Sequence, residues 1–207
     1  MPTASPKKQN SYHHGDLKQA LLDETALILR EEGESALSLR TLANRLGVSR
    51  TAPYNHFENK EALLCAVAEE GFRRFDKAMQ AARHKHRNEG GYEMMRATVR
   101  AYLNFALKNR EYYDLMYSGK SWGEGGPTKS LASTARHTLR SDIERLQRAQ
   151  DRGQIRKDLD VADFGKIFWG TLHGISRLSL DGVYSDPGSL KRLCDRAADM
   201  LWAQMAP

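Results

Sequence analysis

Apolar residues recur along this chain at intervals of three and four, the period of an α-helix, and no stretch shows the strict alternation of a half-buried strand. The pattern predicts an all-α protein of about nine helices. Leu17, Ala20, Leu21, Leu27 and Ile28 stripe a first helix from about Asp16 to Glu32, and Gly33 suits the left-handed position that ends it. A short second helix, Leu39 to Leu46, takes Ser38 as N-cap, buries Leu39, Leu42, Ala43 and Leu46, and stops at Gly47. Ser49 is placed to cap a third helix running to about Phe57. Asn59 opens a long helix from Lys60 to about Arg87, striped by Leu63, Leu64, Val67, Ala68, Phe72 and Phe75.

The second half continues in the same period. Helices are predicted from about Glu93 to Lys108, Glu111 to Tyr117, Thr128 to Arg152 and Val161 to Leu180, with Ser118–Pro127 as a Gly-rich loop. Asp186 and Pro187, an N-cap followed by proline in the first helical position, start the last helix. Its apolar face is wide enough that one neighbour would not cover it. Paired across a two-fold axis with Val161–Leu180, it would form a four-helix dimer bundle through Phe164, Phe168, Leu172, Leu190, Leu193, Ala197 and Leu201. The expected organisation is an arm (1–14), a three-helix helix-turn-helix domain (15–60) and a helical ligand-binding and dimerisation domain (61–207).

Composition narrows the class without naming a function. No apolar run approaches the roughly 20 residues of a membrane span, and Met1 to Tyr12 carries no apolar signal core, so a cytoplasmic protein is expected. Cys65 and Cys194 sit within helical patterns as reduced, buried thiols. Net charge is +6, yet residues 1–60 hold eight Lys/Arg against seven Asp/Glu, so bulk charge is weak evidence for a nucleic-acid partner. The case must come from particular side chains.

Those lie between Leu39 and Lys60, in LRTLANRLGVSRTAPYNHFENK. Two short helices around Gly47-Val48 make a helix-turn-helix, a shape that also occurs as plain structure. Its outward positions Arg50, Thr51, Tyr54, Asn55 and His56 carry donors: Arg pairs with guanine, Asn with adenine, the Thr methyl meets thymine, and Tyr54, His56 and Lys60 suit phosphates. A merely solvated polar face is the plain alternative. Pro53 is the departure, tolerable if Ser49 is the cap, because it then stands in the first turn. The arm residues Lys7, Lys8, Tyr12, His13 and His14 either lie along a groove or form an unstructured terminus. No metal site or cofactor is expected, since adjacent His13-His14 has no third ligand nearby.

The stretch from Asp16 to Val67 resembles the DNA-binding region of tetracycline-repressor-type (TetR) regulators. Ser38, Leu39, Arg40, Leu42, Ala43, Gly47, Val48 and Ser49 match its first signature segment, and Tyr54, His56, Phe57, Lys60, Glu61 and Leu63 its second. The resemblance implies that Arg50, Thr51, Tyr54 and Asn55 face the major groove, that Tyr54, His56 and Lys60 clamp phosphates, and that Phe57 packs inside. Ser38, Arg40, Thr41 and Ser49 join the candidate DNA-binding set. Trp169, His173 and Gly174 look like the W-x-x-x-HG element of one C-terminal domain type in that family. The implied function is a homodimeric repressor on a palindromic operator of double-stranded DNA, released by a small-molecule effector.

An effector site is expected among Tyr102, Phe105, Tyr112, Tyr113, Met116, Tyr117, Trp122, Trp169 and His173, whose apolar faces carry polar tips. His173 would bind the effector or be a satisfied core histidine. An all-α enzyme using His173 or His137, or an interaction protein with an incidental helix-turn-helix, are the alternatives; the first lacks a nucleophile–base pair.

Overall fold

A computed structural model of the chain describes residues 17–118 and 126–207. Among them are eight α-helices, two 3-10 turns and no strand: α1 Leu17–Glu31, a turn at Glu34–Ala36, α2 Leu39–Leu46, a turn at Ala52–Asn55, α3 Lys60–Lys85, α4 Gly91–Lys108, α5 Arg110–Tyr117, α6 Lys129–Asp151, α7 Val161–Leu180 and α8 Pro187–Met205. The helix count falls close to the nine expected. No helix of the described residues is long and apolar enough to cross a membrane. Two compact units divide within α3, one reaching Leu63 and the other beginning at Leu64.

The N-terminal unit closes around Leu21, Ile28, Leu42, Ala43 and Leu63, all fully buried. α2 is short, so its ends decide whether it forms. Ser38 accepts the Thr41 N–H on its hydroxyl at 3.0 Å. At the other end Gly47 takes φ +66°, and the Val48 and Gly47 N–H groups reach back to the Ala43 and Asn44 carbonyls at 3.0 and 3.3 Å. This double closure satisfies the carbonyls a helix end leaves open, and it turns the chain sharply. Arg45 then ties α2 to α1, meeting Glu24 at 3.0 Å and Glu32 as a second carboxylate partner.

The expected third helix takes another form. Ala52–Asn55 is a single 3-10 turn, and Ser49 caps no α-helix; its hydroxyl lies 3.2 Å from that of Thr51. Proline explains the change. Pro53 has no N–H to give to the Ser49 carbonyl, which accepts instead from Ala52 at 3.0 Å, and the next bonds also span three residues: Tyr54 to Thr51 and His56 to Pro53. Only Phe57 reaches back four, to Pro53. Pro53 and Phe57 point into the core and the residues between them point out.

In the C-terminal unit α4 packs against both α7 and α8, and α6 packs against α7. Side-chain caps hold the helix starts: Thr128 for α6, Asp160 for α7 and Asp186 for α8. Val99, Ala106, Tyr113, Met116, Leu131 and Leu172 are wholly buried between these helices. Cys65 and Cys194 are buried free thiols.

Candidate nucleic-acid interface and ligand cavity

On the N-terminal unit, Arg50, Thr51, Tyr54, Asn55 and His56 are all exposed, and so are Ser38, Arg40 and Ser49; Thr41 and Lys60 are half-covered. Tyr54 is the telling member: a phenol with an apolar body stands 56% exposed while its neighbour Phe57 is only 4% exposed. The Tyr54 ring offers an apolar face, and its hydroxyl a hydrogen-bonding tip, to any surface that covers it. Pro53 and Phe57, joined by the Phe57 N–H to Pro53 carbonyl bond, anchor this segment inward and leave Arg50, Thr51, Tyr54 and Asn55 outward.

Two members of the expected set have other work. The Ser38 hydroxyl is engaged with the Thr41 N–H and, at 2.7 Å, with the Thr41 hydroxyl. The Lys60 ammonium donates to the Glu34 carbonyl at 2.8 Å and lies 3.9 Å from the Glu34 carboxylate. It fastens the start of α3 to the Glu34–Ala36 turn rather than standing free. The start of α3 is capped by Asn59, whose Oδ1 accepts from the Ala62 N–H at 2.8 Å. Sequence reasoning passed over Arg45, whose partners lie 13 and 21 residues away and leave no local pattern. Lys7, Lys8, Tyr12, His13 and His14 lie outside the described residues.

The C-terminal unit encloses a cavity of about 430 Å³, within the size range of small-molecule sites. Its wall is mainly apolar and aromatic, with Phe75, Met79, Met94, Phe164, Phe168 and Trp202 prominent. Of the residues expected to form an effector site, Tyr102 and Trp169 line it, whereas Phe105, Tyr113, Met116, Tyr117 and His173 do not. Trp122 lies outside the described residues.

Most of the others form a packed polar-aromatic cluster. Tyr113 sits 3.3 Å from the Tyr102 hydroxyl and 2.8 Å from His173 Nδ1, and the Trp169 indole donates to the Tyr117 hydroxyl at 2.9 Å. Burial pushes all three tyrosine hydroxyls above their ordinary range, so they serve as neutral donors and acceptors. Burial, followed by the nearby Arg177 charge, holds His173 below its ordinary value. His173 thus has a hydroxyl on Nδ1, not the carboxylate that would orient a general base.

Four of the seven expected dimer residues are already covered within one chain. Phe164, Leu172, Ala197 and Leu201 are buried within the single chain, and Phe168, Leu190 and Leu193 are half-buried. α4 and α6 cover the stripe that periodicity had marked as an open face, and Phe164 and Phe168 turn to the cavity. Exposed apolar side chains of these helices lie elsewhere, at Ile167, Leu178 and Met200, followed in the α7–α8 connection by Val183 and Tyr184.

Residues 21–67 match the family model described as "Bacterial regulatory proteins, tetR family", and residues 95–201 match "Tetracyclin repressor-like, C-terminal domain". The chain belongs to the tetracycline-repressor family. The C-terminal match carries the general description and does not single out the W-x-x-x-HG subset. Tetracycline repressor protein class A from transposon 1721 of Escherichia coli is 48% identical over 59 residues, which are 28% of this chain and 24% of that protein. The chain thus spans about a quarter of the length of the tetracycline repressors it matches. Among solved structures, a protein with unknown function from Rhodococcus sp. RHA1 superposes with a TM-score of 0.82 at 31% identity, covering 96% of this chain and all of that one. The SmeT–triclosan complex shares the fold at a TM-score of 0.66 and 22% identity, over 92% of this chain and 91% of SmeT. In this tetracycline-repressor-family chain, Arg50, Tyr54 and Asn55 fall inside the N-terminal match, and α6, α7 and α4 from Met95 onward fall inside the C-terminal one.

Proposed function

We propose that the chain is a DNA-binding transcriptional repressor: a homodimer that presents two copies of the Arg50–His56 turn to a palindromic operator and lets go when a small molecule occupies the cavity. The observation that carries this reading is the outward display of Arg50, Thr51, Tyr54, Asn55 and His56 on a turn anchored by Pro53 and Phe57. Guanidinium and carboxamide groups read base edges, and phenol and imidazole groups hold the backbone.

A second copy has a place to dock. Ile167, Gly170, Gly174 and Leu178 recur at i, i+3, i+7 and i+11 along α7, and a Cβ at either glycine would meet nothing within 4 Å. That open strip, with Met200 of α8 exposed, suits close helix–helix contact across a two-fold axis. Effector action would run through α3, which starts at Lys60 and carries Phe75 and Met79 to the cavity wall. Triclosan held by SmeT, a protein of the same fold, supports a small-molecule role for such a cavity. A ligand shifts DNA affinity only if it binds the DNA-free arrangement more tightly. The test is footprinting of the purified protein on genomic fragments. A palindrome with half-sites one helical turn or a multiple of it apart is expected; protection without symmetry, or none at low salt, would refute the reading.

A further inference from the structure

One end of the cavity carries more positive charge than its surroundings balance. Arg145 and Asp142 both line it, and the Arg145 Nη2 donates to Asp142 Oδ1 at 3.0 Å. The same oxygen accepts from Arg83 Nη1 at 3.4 Å, so two guanidiniums divide one carboxylate oxygen. The Arg83 side chain is 12% exposed. Burial, and then the Arg145 charge, lower its pKa, as expected for a covered cation held close to a second one. Arg145 Nε is itself buried and has no hydrogen-bond partner. Arg87, one turn beyond Arg83, lines the wall together with Arg145, while Asp142 is the single acidic side chain among the described residues that line it. The remaining wall is mostly methionine, aromatic and aliphatic side chains, with Thr98 and Gln154 as its neutral polar members.

Taking the cavity as the effector site proposed above, we infer that its ligand is an amphiphile whose anionic headgroup is held by Arg145 and whose apolar body lies along Met79, Met94 and Phe168. An anion beside the cavity-lining Arg145 guanidinium gives it an acceptor of its own, where it now shares one Asp142 oxygen with Arg83. A cationic ligand would bring further positive charge to a carboxylate already shared by two arginines. A neutral one would bury more apolar surface around the same unbalanced guanidiniums.

The experiment uses the full chain and a chain-length-matched series, dodecanoate, dodecanol and dodecyltrimethylammonium, below their micelle concentrations. Binding is followed by calorimetry and by the emission of Trp169 and Trp202, which line the cavity. Dodecanoate is expected to bind about tenfold or more tightly than dodecanol, as a charge-assisted hydrogen bond supplies, and the ammonium to bind more weakly than either. Arg145→Gln should bring dodecanoate down to the affinity of the alcohol, whereas Asp142→Asn should tighten it. The two substitutions move the result in opposite directions, so damage to the fold would not imitate both. Equal affinity for the alcohol and the carboxylate, preference for the ammonium, failure of dodecanoate to bind, or an unchanged preference in Arg145→Gln would each overturn the inference. Release of footprinted DNA is scored separately. Charge preference without release would sink the effector reading and leave the headgroup site standing; release by alcohol and carboxylate alike would do the reverse.

Discussion

Gly47 holds φ +66° with nothing within 4 Å of where a Cβ would stand, so backbone conformation alone sets the cost of replacing it. Gly47→Ala is expected to destabilise the chain by about 1–2 kcal/mol, read from urea unfolding; an unchanged midpoint would mean that the corner between α2 and the DNA-facing turn is not held in the left-handed region. His173 gives a pH-dependent prediction. Its pKa is lowered in the fold by burial and then by Arg177, so the folded chain favours the neutral ring while the unfolded chain protonates at about pH 6.5. The unfolded state therefore binds more protons in the window below that value. Stability from this group is complete above about pH 6.5 and is lost as pH falls toward the folded pKa. Melting temperatures followed down through that window should fall less in His173→Gln than in the parent chain; parallel curves would remove His173 as the source. Ser38, Gly47 and Asn59 could be read from sequence because caps and helix stops are local chemistry. The outward display of Tyr54 was readable for the same reason. The partners of Arg45 and Lys60 were not, because each joins residues that only the fold brings together.

At the scale of elements, α4 begins against α8. A Cβ on Gly91 would lie 2.3 Å from Trp202 Cη2 and 2.7 Å from Cζ3, closer than packed atoms approach, and both residues line the cavity. Gly91→Ala should therefore displace the indole, costing about 1–3 kcal/mol and moving tryptophan emission to the red; an unchanged spectrum and stability would show that the wall yields elsewhere. Periodicity located every long helix because the apolar stripe is a property of one helix taken by itself. It did not say which neighbour covers a stripe. That is why Phe164, Leu172, Ala197 and Leu201, expected at a dimer surface, are instead core residues beneath α4 and α6. The DNA-facing turn shows the other limit. Ser49 and the apolar residues around Pro53 fit a capped α-helix, and the missing proline N–H decides for three-residue bonding.

For the whole molecule, the cavity and the open strip on α7 give the proposed regulator its two further requirements, a ligand and a second copy. Ile167 is 62% exposed and therefore contributes little to the fold of one chain. Ile167→Glu should raise the dimer dissociation constant about tenfold or more in sedimentation experiments without changing the helical content; an unaltered dimer would move the interface elsewhere. The cavity could not be found by listing aromatic residues, because most of those form the Tyr102–Tyr113–His173 cluster, and the charged end joins α3 and α6 side chains that only the fold brings together. The central claim is that the exposed Arg50–His56 turn holds DNA. Its most direct test is the affinity of the parent chain, Arg50→Ala and Tyr54→Ala for the footprinted site and for unrelated duplex across a salt series. Arg50→Ala should cost about 1–3 kcal/mol at the footprinted site and narrow the gap to unrelated DNA, and Tyr54→Ala should weaken both duplexes alike; parent-like affinities for both variants at every salt concentration would contradict the claim.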